Sequence, residues 1–314
     1  GQSYVAYLFA HDDQSFGTGG DEAIIKCGSY TGTGTSSNPE IDLGFEPQWL
    51  MLKNTTNSSN WVMVDIMRGF TGFGAAGDAE AVVANSSGAE PTNGGRVYVT
   101  SQGFTFSSET NSGYNSSGSN YIYMAIRRPN KPPEAGTDVF NVVQTSSQPF
   151  SVGFPTDLAI NKPTGTGSNY WVPRLTNGYL ASNATNSESS GTTYFKFDLQ
   201  NSYSISNFWG SNQVVHWQFR RAPGFMDVVT YTGTGSARTV NHNLGVAPEF
   251  MIIKARSISE NWPTYNSTDG ATKGMFLNST NDAFTFNFWN STAPTATQFT
   301  VATDNAVNKS TERY

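Results

Sequence analysis

The chain has 314 residues, of which 13% are charged and 13% aromatic, where an average globular protein is roughly 25% charged. Its net charge of −6 and its scattered Lys and Arg argue against nucleic-acid binding, which needs a basic face to neutralise phosphates. No apolar run approaches the ~20 residues that span a bilayer, and with one cysteine, Cys27, no internal disulfide or thiolate cluster can form.

Aromatic and β-branched residues set among Gly, Ser, Thr and Asn predict an all-β fold. The opening YVAYLFA, residues 4 to 10, has strand character. It is followed by HDDQSFGTGGDE at 11 to 22, where Asp12, Asp13, Asp21 and Glu22 flank a Gly-rich loop and offer oxygen ligands suited to Ca²⁺. Their spacing does not fit an EF-hand, and a solvated loop with Asx-turns is the alternative. The alternating run DEAIIKCGSYTG at 21 to 32 leads into a Gly-Thr turn, then a Leu43-Gly44 and Pro47 corner, then the apolar strand ending in Lys53. Asn60-Trp61 opens the next strand, GAAGDAEAVVANSSG at 74 to 88 could hold a helical turn, and RVYVT, FTFSS and YIYMAI read as further strands. The last of these ends in Arg127-Arg128.

The order then recurs. DVFNVVQT at 138 to 145 is the alternating run, SVGFPTDLAINK at 151 to 162 matches DLGFEPQWLMLK at 42 to 53, and Asn169 to Val172 stand where Asn60 to Val62 stood. VVHWQFRRAP closes this stretch on Arg220-Arg221. MDVVTYTG at 226 to 233 opens a third, in which residues 231 to 255 align without a gap on 30 to 54 at an offset of 201. Tyr30 falls on Tyr231, Gly44 on Gly245, Lys53 on Lys254 and Trp61 on Trp262; Tyr4, Tyr121 and Tyr314 are equivalent to one another. The sequence therefore divides into a final strand and loop of a repeat at 1–20, repeat 1 at 21–128, a divergent repeat 2 at 129–222, and repeat 3 at 223–314 lacking its last strand. Each repeat is expected to be an antiparallel β-sandwich of jelly-roll or lectin-like type. Three arrangements fit the ends: a slice of a longer array, completion of repeat 3 by residues 4 to 10 of the same molecule, or completion by those of a neighbour.

Recurrence beside alternating apolar residues assigns Trp61 and Trp262 to core packing, whereas Trp209 and Trp289 lie among loop residues and are candidates for ligand binding by exposed rings. The Arg pairs suit bridges at repeat boundaries. Nine Asn-X-Ser/Thr sequons, among them Asn85, Asn115, Asn183, Asn278 and Asn308, are expected by chance in such a chain. His216, within an apolar strand, reads as a sheet residue. No HExxH, G-x-S-x-G or Walker pattern occurs, no acidic pair of a glycosidase stands out, and no enzymatic activity is expected. Beyond the Ca²⁺ candidate no cofactor is implied.

The motifs YVAYLFAHDDQSFGTGGDE, KCGSYTGTG, DLGFEPQWLMLKN and W-V-M-V-D-x-M-R-G resemble a tandem repeat of large virion structural proteins of tailed, notably marine, bacteriophages. The resemblance implies a lectin-like all-β sandwich in a tail, fibre or capsid-surface protein on the virion exterior, and supplies no catalytic residues. It implies partners among other virion proteins or copies of the chain as a homo-oligomer, with a host-surface glycan as a further one, and neither nucleic acid nor membrane insertion. Repetition multiplies weak contacts into avidity. The alternatives are a bacterial cell-surface adhesin or filament subunit completed by strand exchange, and a polysaccharide-degrading tailspike.

Overall fold

A computed structural model describes residues 2–314 except 18, 36–38, 73–80, 91–96, 108–110, 147–149, 192–193, 207 and 211. The fold is all-β, built of several antiparallel sheets, as the composition predicted. No helix among the described residues is long and apolar enough to cross a membrane. Residues 1–70 with 79–129 form one compact unit, and 71–78 with 130–314 form a second.

The first unit contains β1 (Ile25–Thr31), β2 (Glu40–Asp42), β3 (Pro47–Asn54), β4 (Val62–Asp65), β5 (Val82–Val83), β6 (Val97–Thr100), β7 (Gly103–Phe106) and β8 (Asn120–Arg127). One sheet has the order β1-β8-β3-β4-β5 and the other β2-β7-β6. Tyr30 of β1 joins the two: its ring lies 5.0 Å from Tyr121 of its own sheet and 5.1 Å from Phe106 of the other. Leu50, Leu52, Phe104, Phe106, Tyr121 and Ala125 have essentially no exposed surface. Alternate residues of β3 supply this core because successive strand side chains point to opposite faces. The helical turn considered at 74–88 falls partly outside the described residues; Val82 and Val83 within it pair with β4 as strand.

The second unit begins with β9 (Phe140–Thr145), β10 (Leu158–Pro163), β11 (Tyr170–Pro173), β12 (Gly178–Ala181), β13 (Ser189–Ser190), β14 (Phe195–Lys196), β15 (Ser204–Ile205) and β16 (Val214–Phe219). Its large sheet runs β13-β12-β11-β10-β16-β9. Here, as in the first unit, the strand that ends in paired arginines lies between the opening alternating strand and the strand after the glycine corner. The ladders agree to the residue. Ile126 of β8 faces Ile25 and Trp49, and Phe219 of β16 faces Phe140 and Leu158, each being the residue before the arginine pair. One alignment shifts: Leu52 faces Val62 but Asn161 faces Tyr170, so Tyr170 stands at the place of Val62 and the intervening hairpin loop is one residue shorter.

The remainder of the unit holds β17 (Arg238–Asn241), β18 (Phe250–Ile252), β19 (Pro263–Asn266), β20 (Lys273–Phe276), β21 (Phe284–Thr285), β22 (Gln298–Val301) and the single turn α1 (Asn305–Asn308). Phe250 faces Asn266 and Met251 faces Tyr265, where Trp49 faces Asp65 and Leu50 faces Val64; the offset is 201 throughout. Val240 faces Phe299 as Ile41 faces Phe104; the first strand of the pair is offset by 199 and the second by 195, and the extra His242-Asn243 restores the offset of 201 before Leu244. Phe288, Trp289, Val301 and Val307 centre the core of this stretch.

Glycine fixes the corner in all three places. Gly44, Gly153 and Gly245 have φ of 72°, 90° and 75°, a left-handed backbone that a Cβ disfavours. In the first, the Asp42 carboxylate accepts from the Gly44 N–H at 2.8 Å, closing an Asx-turn that redirects the chain into β3.

Candidate functional site

Two polar devices hold the hairpin loop after each glycine-corner strand. Lys53 donates from Nζ to the carbonyl of Ser59 at 2.5 Å, Lys162 donates to that of Gly167, and Lys254 donates to that of Glu260 at 2.9 Å. A loop carbonyl that no ladder can pair is thereby satisfied by an ammonium. An asparagine then clamps the far end of the loop. Asn85 Oδ1 accepts from Trp61 N at 2.8 Å while its Nδ2 donates to Asn60 Oδ1 at 3.2 Å. Asn278 makes the same two bonds to Trp262 N at 3.0 Å and Asn261 Oδ1 at 2.9 Å. Asn183 accepts from Asn169 N at 3.3 Å.

In the second unit the segment that carries the clamp Asn183 meets the last of these loops. Lys254 Nζ also donates to Thr185 O at 2.9 Å, Glu260 N donates to the same carbonyl at 2.9 Å, and Trp262 Nε1 donates to Ala184 O at 2.9 Å. Glu188 N donates to Arg256 O, and the Arg256 guanidinium returns two bonds to Glu188 Oε2 at 2.8 and 3.1 Å. Both side chains of that ion pair are under 10% exposed. The Trp171 and Trp262 rings lie 5.9 Å apart. These bonds tie residues 182–188 to 254–262, which explains why position 222/223 lies inside a compact unit. Burial lowers the Lys254 ammonium to about 8, with nearby Glu260 acting in the opposite sense.

Beside this seam lies a groove of about 530 Å³ lined by Asn169, Ser182, Asn183, Leu277, Asn278 and neighbouring hydroxyls. Its lining bears no charge. Amides and hydroxyls supply both donors and acceptors, which suits a neutral ligand rich in hydroxyls. Asn183 and Asn278, the clamps of the two loops, set its walls.

The residues singled out for metal binding do not converge. Asp12 pairs with Lys26 at 3.6 Å, Glu22 pairs with Arg127 at 3.3 Å, and Asp13 accepts from Ser15 N at 3.2 Å; Asp21 is exposed. Among the described residues no three His, Cys, Asp or Glu gather where a metal could sit. Two of the four carboxylates expected at Ca²⁺, Asp12 and Glu22, thus each face a side-chain cation. Trp289, expected on the surface, is wholly buried. Its indole donates to Lys273 O at 3.1 Å and packs on Tyr265 and Phe288, because the Phe284 to Trp289 stretch folds inward over β20. Trp209 is partly buried against Phe208 at 4.7 Å and Phe195 at 5.9 Å, so neither ring is an open platform. Trp262 is buried and Trp61 partly so.

Arg128 and Arg221 are buried on carboxylates, Arg128 on Glu46 at 3.4 Å and Arg221 on Asp227 at 2.8 Å. His216 is buried with Nδ1 2.7 Å from Asn161 Oδ1 and 3.1 Å from the Tyr203 hydroxyl. Burial lowers its pKa to about 4, a hydrogen bond with the Thr145 backbone acting in the opposite sense.

What the sequence reading passed over is asparagine. Asn115 Oδ1 accepts from Thr33 N at 2.9 Å and Nδ2 donates to Gly34 O at 3.1 Å. Asn308 accepts from Thr234 N at 2.8 Å and donates to Ser236 O at 2.6 Å. Both are wholly buried. Asn85 to Asn278, Asn115 to Asn308 and Tyr121 to Tyr314 share one offset of 193. That coincidence was the available signal, hidden by the frequency of sequons.

A family described as a domain of unknown function, DUF7483, matches residues 1–129 and 139–314. No curated protein and no solved structure matches the chain.

Proposed function

The chain belongs to the DUF7483 family, and we propose that it is a structural component of a tailed-phage virion, tail-associated or fibre-like, built from one antiparallel β unit used three times. The observation that carries this reading is the shared ladder. Trp49 with Asp65 and Phe250 with Asn266 occupy one register, and Ile126 and Phe219 each sit between equivalent partners. Residues that agree in hydrogen-bonding partner, and not only in type, are what duplication of a folded unit leaves behind. A chain with few charges, loops held by internal amides and ammonium groups, and repeated sheets suits an extracellular spacer that must resist unfolding. Its contact with a host would run through the uncharged groove beside Asn183 and Asn278, with a neutral surface glycan as ligand and avidity from many copies.

Purified phage particles and host cell envelopes probed with an antiserum to this chain test the assignment. Labelling of tails or capsid exteriors is expected. Labelling of uninfected cell surfaces alone would replace it with the adhesin reading, and release of reducing sugar from host polysaccharide by the pure protein would replace it with the tailspike reading.

A further inference from the structure

The chain has seven methionines and one cysteine, and three of those methionines share one row of a single sheet with the cysteine. Across the first unit's large sheet Cys27 of β1 faces Met124 of β8, Met124 faces Met51 of β3, and Met51 faces Met63 of β4. All four are half-buried, whereas their chain neighbours Leu50, Leu52, Val62, Val64 and Ala125 are buried. Successive strand side chains alternate, so the sulfur row lies on the face turned away from the core. Ile25 with Ile126 flanks the row on one side, and Ser29 with Ile122 on the other.

The fold does not ask for sulfur there. The matching row of the second unit is Val142, Trp217, Ile160 and Trp171, and the residues that correspond to Met51 and Met63 at the offset of 201 are Ile252 and Thr264. Such β-branched and aromatic side chains are the usual occupants of a sheet face. Residues directly opposite one another hold their Cβ atoms about 5 Å apart, and methionine has rotatable bonds enough to bring its sulfur toward a neighbour's. We infer that Cys27, Met124 and Met51 form a site for a soft monovalent cation of the Cu(I) class, with Met63 a further thioether one strand on.

Thiolate and thioether sulfurs select Cu(I), whereas carboxylate, carbonyl and water oxygens suit Ca²⁺ and Mg²⁺. The row is therefore a different kind of site from the carboxylates of 11–22. On binding, the S–H bond of Cys27 breaks, a bond from its sulfur to the cation forms, and the proton leaves to water. Each methionine donates a lone pair and loses nothing. The thiolate and the cation cancel in charge, so the loaded centre is neutral and the apolar face bears it at small desolvation cost. His11 stands close, its Nδ1 accepting from Cys27 N at 3.1 Å, and that bond occupies the nitrogen and leaves the ligand set to sulfur. The inference does not depend on the virion assignment.

Anaerobic titration of the whole chain with Cu(I), in competition with a chromogenic Cu(I) chelator, tests the site. The parent should withhold a single equivalent from the chelator, and X-ray absorption should show sulfur as the nearest scatterer. Cys27→Ser should abolish that retention. Met124→Leu and Met51→Leu, which conserve volume and so keep the fold, should each release the metal to the chelator, and Met226→Leu in the second unit should change nothing. A second measurement needs no variant. With Ag(I), which peroxide does not oxidise, Met124 and Met51 of the parent should be shielded from sulfoxide formation, read by peptide mass spectrometry, while Met226 oxidises as before. A parent that yields all its Cu(I) to the chelator would overturn the proposal. So would retention unchanged by both methionine variants, which would leave only a lone thiol, or oxidation of Met124 and Met51 unaffected by Ag(I).

Discussion

Tyr231 stacks on Tyr314 with ring centres 5.0 Å apart and planes 11° apart, and Tyr30 stacks on Tyr121 at 5.0 Å and 8°. Each pair leans on the same asparagine-centred turn: Tyr30 donates its hydroxyl to Tyr114 O and Tyr231 donates its own to Val307 O, both at 2.7 Å. The next residue is the buried Asn115 or Asn308. Burial pushes the hydroxyls of Tyr30 and Tyr231 far above their usual pKa, so both remain donors across the working pH range.

Asn308→Ala should therefore destabilise the second unit by roughly 2 kcal/mol, since it removes the bonds of buried Ala302 O and partly buried Thr234 N, while Ser236 O keeps the Thr234 hydroxyl. Asn115→Ala should lower the first unit's stability by a similar amount. Urea titration followed by tryptophan fluorescence checks this: the midpoint should fall with little change of slope.

Removing one partner of the buried Arg256–Glu188 pair should be worse than removing both. Arg256→Met or Glu188→Leu alone strands a desolvated charge, at about 3–5 kcal/mol, whereas the double replacement by apolar residues should recover much of the loss. Differential scanning calorimetry of the four proteins reports the cycle. The single variants should also split the second unit's transition, because that pair helps fasten residues 182–188 to 254–262.

His216 predicts an acid-sensitive transition. Folded protein keeps the imidazole neutral down to about 4, while the unfolded chain protonates it near 6.5. Between those values the unfolded state binds more protons, so the contribution is complete above 6.5 and is lost as pH falls toward 4, by roughly 3 kcal/mol. Melting temperatures from pH 7.5 to 4 should drop more steeply for the parent than for His216→Gln, which cannot titrate.

Gly233→Ala should be poorly tolerated, because its Cβ would lie 2.1 Å from the Lys309 carbonyl oxygen; Gly32→Ala meets Ser116 O at 2.3 Å. Both obstacles are backbone, so the turn itself must shift, at about 1–3 kcal/mol or more. Gly165→Ala, which meets nothing within 4 Å, should be close to neutral. Thermal unfolding of the three variants separates the cases.

The β class was legible because alternation and turn residues act locally, and so was the likeness of Tyr314 to Tyr121, each of which stacks on a tyrosine of its own stretch. Trp289 was misjudged for a reason of range. Its neighbours Asn287 and Asn290 look like loop, yet the indole is drawn inward by Lys273 O and Tyr265, which no local window contains. The partner of Glu22 was out of local range as well: it meets Arg127 across more than a hundred residues. The groove beside Asn183 and Asn278 arises where two distant hairpin loops meet, so neither stretch announces it alone. The offset of 193 was visible in the letters, but asparagine next to serine was too common to stand out.

The hairpin between β10 and β11 is one residue shorter than that between β3 and β4, yet the strand pairing beyond it still places Leu158 and Trp49 in equivalent ladders. Length changes in that loop are absorbed where Lys162 or Lys53 grips it, before they can propagate. Such a connection can gain or lose residues over evolutionary time without disturbing the framework. It is also where a foreign epitope or short tag could be grafted with the least disturbance to the rest of the molecule.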